Sequence, residues 1–83
     1  MNHRTSPEFW EAFERLPLEI QELARSNYEI LKLNPRHPSL HFKKVGDQWS
    51  VRIGMGYRAL GADVADGVLW FWIGTHAHYD RLT

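Results

Sequence analysis

Two prolines in one short connector, Asn34-Pro35-Arg36-His37-Pro38-Ser39, divide this chain into halves whose apolar side chains recur with different periods. Proline removes a backbone donor and pushes the residue before it toward extended geometry, so no helix passes through this segment. Before it the period is helical. Ser6-Pro7-Glu8 combines a hydroxyl N-cap, proline at the first helical position and a carboxylate near the positive end of the helix dipole. Phe9, Trp10, Phe13 and Leu16 then fall at three- and four-residue spacings until Pro17 ends or redirects the helix. Ile20, Leu23, Ala24, Tyr28 and Leu31 carry a second apolar stripe, with Glu22, Arg25 and Glu29 on the opposite side.

After the connector the period becomes two. Leu40 and Phe42 alternate with His41 and Lys43, and Gly46-Asp47 turns the chain into Trp49, Val51 and Ile53 alternating with Ser50 and Arg52. Gly54-Met55-Gly56 and Asp66-Gly67 mark two further turns, the second leading into Val68-Leu69-Trp70-Phe71-Trp72-Ile73. That last run is apolar on both faces, as in a central strand. The expectation is an α+β fold: an N-terminal helical hairpin packed on a three- to four-stranded antiparallel sheet. At 83 residues there is room for one core, and therefore one domain, spanning residues 1–83.

The chain has no cysteine, so packing alone must stabilise it, and four Trp, four Phe and three Tyr supply the bulk. The segment from Met1 to Pro7 contains no apolar stretch of the signal-peptide kind, and Val68–Ile73 is too short to cross a bilayer. A cytoplasmic protein with no membrane partner is expected. The net charge is zero but unevenly placed: residues 1–33 carry four basic and six acidic groups, residues 34–83 six basic and four acidic. Arg36, Lys43, Lys44, Arg52 and Arg58 concentrate positive charge on the expected sheet.

Arg52 alternates with Val51 and Ile53, so it lies on the sheet face away from the helices, where Arg58 can join it across the Gly54–Gly56 turn. As solvated strand residues the two need no further explanation; their short separation favours a shared site. Successive strand residues point to opposite faces, so at most one of Lys43 and Lys44 accompanies them. His76-Ala77-His78-Tyr79-Asp80 is the densest titratable group and follows the most apolar strand. His-x-His with Asp80 offers nitrogen and oxygen ligands but lacks a further firm one, so no metal is assigned; acid–base work suits a histidine pair better. No phosphate loop, Cys nucleophile or cofactor motif is present in the sequence.

Leu16-Pro17 with Ile20-Gln21, Val51-Arg52-Ile53-Gly54, Tyr57-Arg58-Ala59-Leu60, and Trp72-Ile73-Gly74-Thr75-His76 with Tyr79 resemble, in order and spacing, the RelE/ParE superfamily of type II toxin–antitoxin toxins. The resemblance runs from Phe9 onward. It implies a metal-independent endoribonuclease without cofactor, cutting mRNA on the ribosome and held inactive by a cognate antitoxin. By position it implies Arg58 as the transition-state arginine, Arg52 beside it, Tyr79 in the RNase tail, His76 and His78 flanking the acid–base position, and Lys43 and Lys44 on phosphate. The alternative on the same fold is a non-enzymatic protein, either an inhibitor of DNA gyrase or a non-toxic binding module. The family's usual first strand is expected to be missing or shortened, because Pro7 arrives almost at once.

Overall fold

The computed structural model describes residues 1–78. Strand β1 (Asn2–Thr5) leads into helices α1 (Pro7–Glu14) and α2 (Leu18–Leu33); a 3-10 turn at Pro38–Leu40 precedes β2 (Lys43–Val45), β3 (Gln48–Ile53), β4 (Tyr57–Val64) and β5 (Gly67–Thr75). The five strands form one sheet in the order β1-β5-β4-β3-β2, antiparallel throughout except for β1, which runs parallel to β5.

The helix starts follow the sequence. Ser6 Oγ accepts the Phe9 N–H at 3.4 Å, with Pro7 opening α1 and Glu8 in its first turn. Phe9, Phe13 and Leu16 turn inward, while Trp10, one helical step aside, is 41% exposed and donates its indole N–H to Thr5 Oγ1 at 3.0 Å. On α2 the stripe is only partly used: Leu31 is buried and Ile20 and Ala24 pack against the core, yet Leu23 and Tyr28 remain exposed. A side-chain clip, Asn27 Nδ2–H to the Arg52 carbonyl at 3.2 Å, ties α2 to β3.

Three sheet features depart from the sequence expectation. The sheet has five strands, and β1 exists although its residues show no apolar alternation. It is assembled from outside: Asn2 N–H donates to the Asp66 carbonyl, Ser6 N–H to the Trp70 carbonyl, and Asn2 and Arg4 side chains both reach the Asp66 carboxylate, lowering its pKa. At the start of the hairpin, Leu40 and His41 are not extended. Pro38 nucleates a 3-10 turn with the Ser39 N–H held by His37 Nδ1, and His41 follows at φ 45°, so the strand begins only at Lys43. The third departure is a β-bulge. Leu60 pairs with Trp72 but Gly61 pairs with Trp70, leaving Phe71 as the extra residue. Trp70 and Ile73 thereby both enter the core, which strict alternation forbids, and Trp72 is turned to the other face. Gly61 makes the inward packing at Trp70 feasible, since a Cβ there would collide with the Val68 side chain and lie 3.0 Å from the Trp70 ring.

The core gathers Phe9, Phe13 and Leu16 from α1 and its end, Leu31, Leu40, and Val51, Ile53, Ala59, Val68, Trp70 and Ile73 from the sheet. At its β1 end Trp70 donates its indole N–H to His3 Nδ1 at 3.1 Å, the two rings lying side by side with 15° between their planes. An indole N–H only donates, so Nδ1 must be the unprotonated nitrogen and the proton sits on Nε2. Burial, and secondarily the positive Met1 ammonium, hold the His3 pKa below its ordinary 6.5. The folded imidazole therefore binds its proton more weakly than the unfolded one. Stability is full above pH 6.5 and declines as pH falls below it. Thermal midpoints between pH 7.5 and 5 are expected to show this decline and a flatter profile in His3→Gln; equal slopes in the two proteins would rule out His3 as its source.

Candidate functional site

The bulge and the strand registers sort the sheet's second face, away from α1 and α2, into two rungs. Lys43, Ser50, Leu60 and Trp72 are successive cross-strand partners in one; Arg52, Arg58 and Gly74 are partners in the next. Arg52 and Arg58 are thus directly opposite each other on neighbouring strands. Residues so paired have Cβ atoms about 5 Å apart, a placement in which like charges destabilise a sheet. Each guanidinium is tethered: Arg52 Nε–H donates to the Gly54 carbonyl at 3.0 Å, and Arg58 Nη1–H donates to Ser50 Oγ at 3.1 Å. Both arginines are half-buried, and Ser50 is 1% exposed. Among the described residues no carboxylate forms an ion pair with Arg52. Two oriented, partly desolvated guanidiniums on one rung have the donor chemistry that suits an anion whose charge is spread over several oxygens, such as phosphate.

The two lysines separate. Lys43 shares the Ser50 rung, on the arginine face. Lys44 lies opposite Trp49 and binds Asp63 at 2.9 Å, and Asp63 also accepts the Trp49 indole N–H at 3.0 Å. These two hydrogen bonds hold the Asp63 carboxyl below the usual carboxylate range, the Lys44 one contributing more. The structure brings Lys43 toward the arginines and leaves Lys44 outside the group.

His76 and His78 lie where β5 ends and the chain turns helical at residues 76–78. His76 N–H donates to the Gly56 carbonyl at 2.7 Å, which docks this segment on the β3–β4 turn two residues from Arg58. His78 N–H donates to Thr75 Oγ1 at 3.1 Å, and its ring stands edge-on to Trp72, centroids 5.4 Å apart at 87°. Tyr79 and Asp80 lie outside the described residues. Among the described residues no three His, Cys, Asp or Glu side chains gather as a metal site. Ser50, Leu60, Trp72 and Gly74 are the members of these two rungs that sequence reasoning did not single out as site residues. Alternation with Arg52 already placed Ser50 there; nothing in the sequence marked the bulge that exposes Trp72.

On the opposite side of the sheet a depression of about 460 Å³ opens between the helices and the strands. Phe9, Phe13, Leu31, Val51, Ile53 and Trp70 floor it, and His3, Trp10, Arg25 and Tyr28 border it. The Arg25 guanidinium sits 5.1 Å from the Phe13 ring centroid. Of the aromatic residues on the two helical stripes, Phe9 and Phe13 are core and Trp10 and Tyr28 are surface.

No protein-family model matches the sequence, and no curated protein does. Solved structures do match. The RelB-RelE antitoxin–toxin complex from Methanococcus jannaschii aligns over 96% of this chain and 99% of the matched chain, with a TM-score of 0.72 at 16% identity. The isolated E. coli RelE toxin aligns over 96% of this chain and 93% of its own, with a TM-score of 0.63 at 11% identity. The α+β fold of this chain is that of the RelE toxins, as the order of its sequence motifs led us to expect.

Proposed function

We propose that this chain is the toxin of a type II toxin–antitoxin pair and acts as a ribosome-dependent mRNA endonuclease of the cytoplasm, working as a single domain. The observation that carries the reading is the directly opposed pair Arg52 and Arg58, set beside a histidine-bearing strand end. The RelE fold supports it. RNA brings its own nucleophile. The 2′-oxygen attacks the neighbouring phosphorus, its proton leaves to a base, the bond to the 5′-oxygen breaks, and an acid protonates that oxygen; the products are a 2′,3′-cyclic phosphate and a 5′-hydroxyl. The protein must supply proton transfer and neutralise the charge on the five-coordinate phosphorus, and no metal-bound water is needed. In this reading Arg58 and Arg52 face the reacting phosphate, Lys43 holds a flanking one, and His76, His78 and Tyr79 furnish the acid–base groups. Lys44, engaged by Asp63, is not assigned to RNA.

The partner this reading requires is a cognate antitoxin, by likeness to the archaeal RelB-RelE complex. The apolar depression bordered by Trp10 and Tyr28 and the outer edge of β2 are the surfaces we assign to it. Zero net charge favours a second reading, a gyrase inhibitor on this fold, because affinity for a polyanionic target grows with the number of phosphates neutralised.

Primer extension on an mRNA incubated with the purified protein and programmed ribosomes tests the first reading. Cuts that require both protein and ribosomes are the expected result. No cuts, together with an early loss of DNA synthesis when the protein is expressed, would replace it with the second.

A further inference from the structure

We infer that the indole of Trp72 is a stacking platform for one nucleobase of the RNA held by Arg58, and that it sets which nucleotide is accepted beside the cut. This deepens the RNA-cleaving reading and rests on it. The chain has bent its own alternation to place this ring: the bulge at Phe71 keeps Trp70 and Ile73 inside and delivers Trp72 to the arginine face. The neighbouring rung has been cleared for it. Gly74, directly opposite Arg58, carries no side chain, and a Cβ there would fall 2.5 Å from Trp72 Cζ2 and 2.9 Å from Cη2. The benzene end of the indole therefore lies against the rung that holds Arg58.

Three of the four tryptophans have their indole N–H committed: Trp10 to Thr5, Trp49 to Asp63, Trp70 to His3. Trp72 is half-buried, yet its N–H makes no hydrogen bond among the described residues. A half-buried indole offers its π face to a flat base, and its in-plane donor, held in reserve, is suited to a sugar or phosphate oxygen beside the ring. From Trp72 and His78 a depression of about 220 Å³ runs round the edge of β5 to the helix side, where Ile73 and, at the end of α1, Ala12, Leu16 and Pro17 line it. The His78 ring, edge-on at 5.4 Å, braces the indole without covering it in parallel. Stacking is tolerant of sequence but graded in strength, purines above pyrimidines, so a single platform discriminates among bases without reading their edges in full.

The test is cleavage of programmed ribosomes carrying a panel of codons in the A site, with the unmodified protein, Trp72→Leu and Trp72→Phe. Leucine keeps apolar bulk and removes the π face; phenylalanine keeps a face. Trp72→Leu is expected to need about ten- to a hundredfold more ribosomes for half-maximal rate and to compress the spread among codons, with the saturating rate changed little. Trp72→Phe should recover most of both. The inference is overturned if a folded Trp72→Leu protein matches the unmodified one in concentration dependence and codon spread, or if phenylalanine is no better than leucine; in either case the RNase reading stands. If the unmodified protein makes no cuts on any codon, the reading itself falls and this inference with it.

Discussion

Arg58→Ala is expected to lower the single-turnover rate of ribosome-dependent cleavage at least a hundredfold while leaving the thermal midpoint almost where it was. Removing one preorganised donor aimed at developing charge typically costs about 10²–10³ in rate. Arg58 has the features that make such a donor effective. It is half-buried, its guanidinium is held by the Ser50 hydroxyl, and it faces Arg52 across the strand pair. Among the changes that bear on stability two oppose each other: relief of repulsion between cations on one rung, and loss of a hydrogen bond to a buried serine, each about 1 kcal/mol. Arg58→Lys should recover only part of the rate, since a lysine keeps the charge but not the planar fork. Arg52→Ala should also lower the rate, because Arg52 faces Arg58 across the strand pair. The rates come from primer extension at saturating ribosomes and the midpoints from circular dichroism. Arg58→Ala cutting as fast as the unmodified protein would remove Arg58 from the mechanism.

What the sequence revealed and what it hid divide along physical lines. Local chemistry was legible wherever a residue's own preference decides the geometry. Ser6-Pro7 starts α1, the prolines of the connector end the helical half, and the glycine-bearing turns separate the antiparallel strands. Alternation from Val51 and Ile53 placed Arg52 on the face where the structure puts it, with Arg58 opposite. Long-range compensation was not legible. Strand β1 is polar and owes its existence to Asp66 and Trp70, more than sixty residues away in sequence. The bulge at Phe71 is set by what can pack around Gly61, so the run from Val68 to Ile73, which looks apolar on both faces, conceals which of its tryptophans is core. The same logic separates Lys43 from Lys44. Parity showed that only one lysine could join the arginines, and the register to Ser50 and Trp49 shows which.

Trp70→Ala should be among the most destabilising single substitutions in the described part of the chain, lowering the thermal midpoint by roughly 15–30 °C. Truncating a buried large aromatic side chain costs about 3–5 kcal/mol, and in domains of 60–100 residues each kcal/mol moves the midpoint by about 4–8 °C. Chains of this length have roughly 4–12 kcal/mol in total, so the variant approaches the edge of folding. Trp70 is 3% exposed, lies beside the rings of His3 and Phe42, and supplies the indole donor to His3. Its loss empties the place where β1, β5 and the aromatic cluster meet. Trp70→Phe separates packing from hydrogen bonding. It keeps most of the ring, abandons His3 Nδ1, and should cost about 1–2 kcal/mol. Burial and the Met1 ammonium, which lower the His3 pKa, both remain in that variant, so the decline of stability below pH 6.5 should persist. Hydrogen exchange locates the damage: amides of Asn2–Thr5 should lose protection before those of β3 and β4. A Trp70→Ala midpoint within a few degrees of the unmodified protein, with β1 still protected, would show that β1 is held without Trp70 and that the centre of this core lies elsewhere.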